Sequence, residues 1–154
     1  MNLSANFTLK ELTKSDTATR LGIDNTPDDA TIENLKLLCE MVLQPVREHF
    51  GKSVTVNSGF RSPATNQATG GSKTSDHCKG QAADIEIDGL PNPELAQWIM
   101  DNLDYTQLIL EFYTQGQPNS GWVHVSYDPN NLKKQELTAV KVAGKTTYLN
   151  GLQA

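Results

Sequence analysis

The sequence predicts an α+β fold, an antiparallel sheet with helices packed on one side, and three observations carry that expectation. Ile32, Leu35, Leu38, Cys39, Val42, Val46 and Phe50 recur at helical spacing and define one apolar stripe. Gln81 to Asp88 alternates strictly, with Ala83, Ile85 and Ile87 on one face and Asp84, Glu86 and Asp88 on the other. Beyond residue 106, four strand-like runs are punctuated by turn-forming residues. Helices come early and strands late.

In chain order, Thr8-Leu9-Lys10-Glu11 has the form of a capping box, so a short helix begins there. Thr26-Pro27-Asp28-Asp29 supplies the acidic start of the long helix. Pro45 is expected to kink or divide that helix, and Gly51 to end it. Ser53 to Asn57 reads as a strand. A polar loop runs from Ser58 to about Gly80, a length that is uncommon without a function. Pro93 opens an amphipathic helix through Leu95, Trp98, Ile99 and Leu103. Gln107–Tyr113 and Gly121–Tyr127 form one expected hairpin. Glu136–Val142 and Lys145–Leu149, turning at Ala143-Gly144, form another.

A chain of 154 residues suits one domain enclosing one core, with residues 1–30 as an N-terminal helical extension and 128–154 as a C-terminal hairpin. Hydrophobic content of 37% and charged content of 20% fit an ordinary globular composition. The formal net charge of -5 argues against a nucleic-acid partner. No apolar run reaches the ~20 residues of a membrane span. The first residues lack the pattern of a secretion signal, so synthesis in the cytoplasm is expected. Nothing fixes the oligomeric state, and a monomer is the default. Cys39 belongs to the apolar stripe, and Cys78, a lone thiol without a CxxC partner, is read as a bystander.

Chemistry concentrates on few residues. His49 lies near a helix end, where histidines commonly meet terminal carbonyls, and receives no role. His77, Asp84 and His124 could together hold zinc while leaving one position open for water. By spacing alone the plainer reading is favoured, in which His77 and Asp84 are loop and strand polar groups on a solvated face. Parity adds a second argument. Leu108, Leu110 and Phe112 form one face of their strand, and Val123, Val125 and Tyr127 form one face of theirs. Glu111 and His124 therefore point away from the core, toward the face that carries Asp84.

Ser75-Asp76-His77-Cys78-Lys79-Gly80-Gln81-Ala82-Ala83-Asp84 matches Ser-x-His-x-x-Gly-x-Ala-x-Asp. A chance match of five fixed positions is expected on the order of once in ten thousand chains of this size. Ser58-Gly59-Phe60-Arg61-Ser62, Asn66 and Trp122-Val123-His124-Val125-Ser126 extend the pattern. In order and distance these segments resemble peptidase family M15, the zinc D-Ala-D-Ala carboxypeptidases and peptidoglycan endopeptidases. Asn6-Phe7-Thr8-Leu9-Lys10-Glu11-Leu12 resembles its phage-type, endolysin-like branch.

The resemblance implies a hedgehog/DD-peptidase-like fold, one zinc ion, and His77, Asp84 and His124 as its ligands. It implies hydrolysis of D-amino-acid bonds in peptidoglycan stem peptides, with Arg61 and Ser75 binding substrate. Action at the cell wall would then need lysis or another export route. One position departs from the family: many members carry an acidic residue three places before the last histidine, where this chain has Gly121. Glu111 is the replacement general base, with Asp104 and Glu86 as weaker choices. If none serves, the chain is a non-catalytic wall-binding or phage structural module that keeps zinc for stability. A hedgehog-like recognition domain is a more distant alternative.

Overall fold

The computed structural model describes residues 1–72 and 74–153. The chain opens with two short strands, β1 (Asn2–Ser4) and β2 (Phe7–Thr8), which pair with each other. Residues 1–30 thus carry a small sheet as well as helices. Burial of Leu3 and Phe7 ties this sheet to the main core.

The Thr8–Glu11 capping box forms as expected and starts α1 (Leu9–Thr13). α2 (Asp16–Leu21) follows, capped by Ser15. Asp28 caps α3 (Asp29–Leu38), which continues through a π-helical turn, Cys39–Leu43, into α4 (Gln44–Phe50). The helical path widens just ahead of Pro45 and then continues. The proline lies in the first turn of α4, where its missing N–H is least costly. Gly51 closes the helix in a left-handed conformation. His49 stacks on Trp98 at 4.4 Å instead of bonding helix-end carbonyls.

β3 (Thr55–Ser58) leads to the segment expected to be loop. It contains α5 (Pro63–Ala68) and a 3₁₀ turn at Asp76–Lys79. Ser62 caps α5 and Pro63 fills its first turn, a start signal that the surrounding glycines conceal in the sequence. β4 (Ala82–Glu86), α6 (Asn92–Asn102), β5 (Gln107–Glu111) and β6 (Trp122–Ser126) fall on their expected segments. β7 (Gln135–Val142) and β8 (Lys145–Asn150) complete the chain. Ala143 and Gly144 both have positive φ, the primed turn that suits a tight hairpin.

The main sheet has six strands in the order β3-β4-β6-β5-β7-β8. It is mixed, not antiparallel, because β7 pairs parallel with β5. β6 already has β4 and β5 as neighbours, so β7 joins an outer edge of the sheet, that of β5 instead of the more distant β3. Ser126, at the end of β6, pairs with Gln107, at the start of β5. A short connection therefore delivers β7 beside that same start, with Gln135 opposite Gln107. Thr106 fixes the connection by donating from Oγ1 to the Asn131 carbonyl at 2.8 Å.

One face of the sheet supplies Ala83, Ile85, Leu108, Leu110, Val123 and Val125 to a core shared with Leu35, Leu38, Val42 and Val46, and with Leu95 and Ile99 of α6. Full burial of such a leucine or valine stabilises by about 1.5–3 kcal/mol. The other face is left for polar work.

Candidate metal centre and cleft

Asp84 on β4 is the register partner of His124 on β6, and His124 in turn lies opposite Ile109 on β5. Glu111 pairs with Trp122 in the next row on the same face. The alternation of the strands alone brings Asp84, His124 and Glu111 together.

His77 arrives from the 3₁₀ turn. Ser75 caps that turn, its Oγ accepting from the His77 backbone N–H at 3.2 Å. The imidazole is 2% exposed, and its Nδ1 lies 2.7 Å from the Gly59 carbonyl. A carbonyl only accepts, so Nδ1 carries the proton and Nε2 is left with a free lone pair. Gly59 holds that position because β3 runs hard against α1. A Cβ there would lie 2.4 Å from the Leu12 carbonyl oxygen.

One donor atom from each of His77, Asp84 and His124 lies within 4.8 Å of the others. His77 Nε2 is 3.3 Å and His124 Nδ1 2.9 Å from Asp84 Oδ1. Four ligands at about 2.0–2.1 Å around a tetrahedral zinc stand roughly 3.3 Å apart, so this donor set fits the ion. Two nitrogens and a carboxylate oxygen also match its chemical preference.

Electrostatics follow from the same contacts. Burial alone would raise the Asp84 carboxyl, but His77 and the hydrogen bond from His124 bring it well below the ordinary carboxylate range. Burial works to lower His124, and Asp84 with Glu111 overcomes it, so this imidazole is raised above its usual value of 6.5. In the metal-free chain, the His124 contribution to stability is complete below pH 6.5 and is lost as pH rises through the raised value. The Asp84 contribution is present above 3.8 and is lost as pH falls through the lowered value. Proton and cation compete for His124. We expect zinc affinity to weaken by up to about tenfold per pH unit below the raised value. A competition titration from pH 5.5 to 8 checks this, and a flat profile would contradict it.

Around the donors opens a cleft of about 730 Å³, within the ordinary range for ligand sites. It extends from Arg61 and Ser75, past the three donors and Glu111, to Lys141 and Tyr148. Arg61 reaches Ser75 Oγ at 3.5 Å, while its Nε is buried without an acceptor among the described residues. The Trp122 Nε1 is likewise buried, on the cleft wall beside Glu111. Glu111 is raised from the ordinary carboxyl value, first by burial and then by the charge of Asp84. Glu86 instead accepts from Asn57 and lines a separate cavity, and Asp104 is exposed away from the cleft.

A model of the peptidase M15 family matches residues 5–126. The chain belongs to the peptidase M15 family. No curated protein matches it. Membership places this M15 chain among peptidases, and its two histidines and aspartate are placed to hold a metal. None of the helices described is long and apolar enough to cross a membrane. The matched segment ends at Ser126, the last residue of β6, so β7 and β8 lie beyond it.

Sequence reasoning missed Asn25, which anchors the Arg61 segment. Its Nδ2 donates to the Thr13 and Phe60 carbonyls at 2.7 and 3.1 Å, and its Oδ1 accepts from the Ser62 N–H at 2.7 Å. An asparagine in a polar stretch gives no signal of such a role. Cys78 is half-buried and free, and burial raises its thiol. Cys39 is fully buried and pushed up to about 12, as suits an inert core thiol.

Proposed function

We propose that this M15 chain is a zinc-dependent peptidase that hydrolyses D-amino-acid-containing bonds of peptidoglycan stem peptides, as a D-Ala-D-Ala carboxypeptidase or a wall endopeptidase. The observation that carries the reading is the convergence of His77 Nε2, Asp84 Oδ1 and His124 Nδ1 beside Glu111 in an open cleft. His77, Asp84 and His124 are the proposed metal ligands.

His77, Asp84 and His124 would hold a zinc ion, which would supply Lewis acidity to the scissile carbonyl and to a water near neutral pH. Glu111 takes a proton from the attacking water. When the C–N bond breaks, it returns a proton to the leaving amine. Burial and Asp84 favour this role, because a raised carboxyl is a stronger base than an exposed one. Arg61 presents a guanidinium fork to the substrate's terminal carboxylate or a backbone carbonyl, and the contact of its Nη2 with Ser75 Oγ orients it. Ser75 keeps His77 and Arg61 in place and can add a hydrogen bond to substrate. The protein acts on the wall after release by lysis or another route.

The absence of an acid at Gly121 does not favour a non-catalytic module. Packing excludes any side chain there, because the backbone of Glu111 and Phe112 occupies the space. The direct test is His124→Ala, with zinc measured by elemental analysis and hydrolysis followed on purified peptidoglycan. Loss of both is expected. Retention of zinc and turnover would end the ligand assignment.

A further inference from the structure

The β7–β8 hairpin lies outside the segment matched to the M15 family, yet it builds one wall of the cleft. Its register explains how. Ala139 lies opposite Glu111 across the parallel pair, and Tyr148 lies opposite Ala139 on β8. Glu111, Ala139 and Tyr148 therefore form one row on the metal-bearing face, with Lys141 and Thr146 paired in the next row. At about 4.8 Å per strand and 3.3 Å per residue, Lys141 stands roughly 8 Å from Glu111. An extended peptide crosses that distance in two to three residues.

Lys141 is held in place. Its Nζ donates to Thr146 Oγ1 at 3.2 Å and sits 5.4 Å from the centre of the Phe112 ring. One donor is thereby used, and two remain for a ligand. Lys133 also lines the cleft, but it precedes Gln135, which lies opposite Gln107, and so stands toward the far end of β7. Lys141 is not within 4.0 Å of a carboxylate among the described residues, although the chain carries a net charge of -5. The row next to it carries Glu111. The cleft thus has a cation on each side of its acidic groups, Arg61 on the His77 side and Lys141 on the hairpin side. Tyr148 closes the hairpin side, and burial, with the Glu111 charge added to it, raises its hydroxyl.

We infer that the hairpin is a specificity subsite for a second carboxylate on the substrate, two to three residues from the cleaved bond, which Lys141 binds. The substrate class is an acidic peptide, and Tyr148 supplies an amphipathic side wall for its backbone. This rests on the peptidase reading, of which it names the substrate charge. A carboxamide in the same place would leave Lys141 without a charged partner, so the subsite separates stems with free side carboxylates from amidated ones.

The test uses the zinc-loaded full chain and two synthetic D-amino-acid stem peptides. They differ only in whether the side carboxylates are free or amidated, and the terminal carboxylate is free in both. The wild type is expected to favour the free acid about tenfold in kcat/KM, the scale of one charge-assisted contact. That preference should shrink as salt is raised. Lys141→Ala should bring it within about twofold while the amidated stem is cleaved as before. Equilibrium binding to the Glu111→Gln protein provides a readout independent of turnover. Equal cleavage of both stems by the wild type, or a preference that survives in the Lys141→Ala variant, overturns the subsite and leaves the peptidase reading intact. If neither stem is cleaved but the free acid binds tighter in a lysine-dependent way, the subsite stands and the peptidase reading fails.

Discussion

Glu111→Gln should lower kcat by about 10²–10⁴ while zinc stays bound, the loss typical of removing a general acid–base group. The substitution keeps the shape of the side chain and removes its ability to take a proton. Glu111 belongs to β5, and neither the donor triad nor the contacts between its members involve it. Metal content should therefore match that of the wild type, and elemental analysis checks it alongside peptide hydrolysis. The pH profile offers a second view. In kcat/KM, the acid limb should lie above the ordinary glutamate value, because burial and Asp84 both disfavour the charged form. Undiminished turnover in the glutamine variant would remove Glu111 from the mechanism. A parallel loss of zinc would show that the residue supports the metal instead of the proton transfer.

Much of this site is legible in the residues because strands alternate with a period of two. Once Leu108 and Leu110 are assigned to the core, Glu111 must face away, and the same step assigns His124 from Val123 and Val125. The capping box at Thr8 and the turn at Ala143-Gly144 are equally local, and both form where expected. What the sequence conceals is non-local. The parallel pairing of β7 with β5 depends on which sheet edge remains free after β4 and β6 have met, and no run of residues records that. Asn25 is hidden for a similar reason: its three partners come from residues 13, 60 and 62, far apart in the chain. The glycine-rich stretch after Ser58 reads as loop because its two helical turns are short and polar. Their start signals, at Ser62 and Ser75, look like ordinary turn residues.

Gly121 shows how local and non-local causes meet. Its φ is +67°, and a Cβ there would lie 1.8 Å from the Glu111 carbonyl oxygen and 2.7 Å from the Phe112 carbonyl carbon. Both obstacles are backbone, so no rotamer change relieves them. Gly121→Asp, which puts an acid where many M15 members carry one, should therefore destabilise the fold by about 2–6 kcal/mol, combining left-handed strain with overpacking. Urea denaturation measures the loss. In the Glu111→Gln background the new aspartate should restore no turnover, because the push falls on the strand end that carries residue 111. Gly121→Ala isolates the Cβ from the charge and should show most of the same destabilisation. If the alanine variant is as stable as wild type, the close approach is not a constraint, and the chain could have kept the family's acid at 121. Glu111 would then need independent evidence for its role, since the packing would no longer explain why the base had moved from β6 to β5.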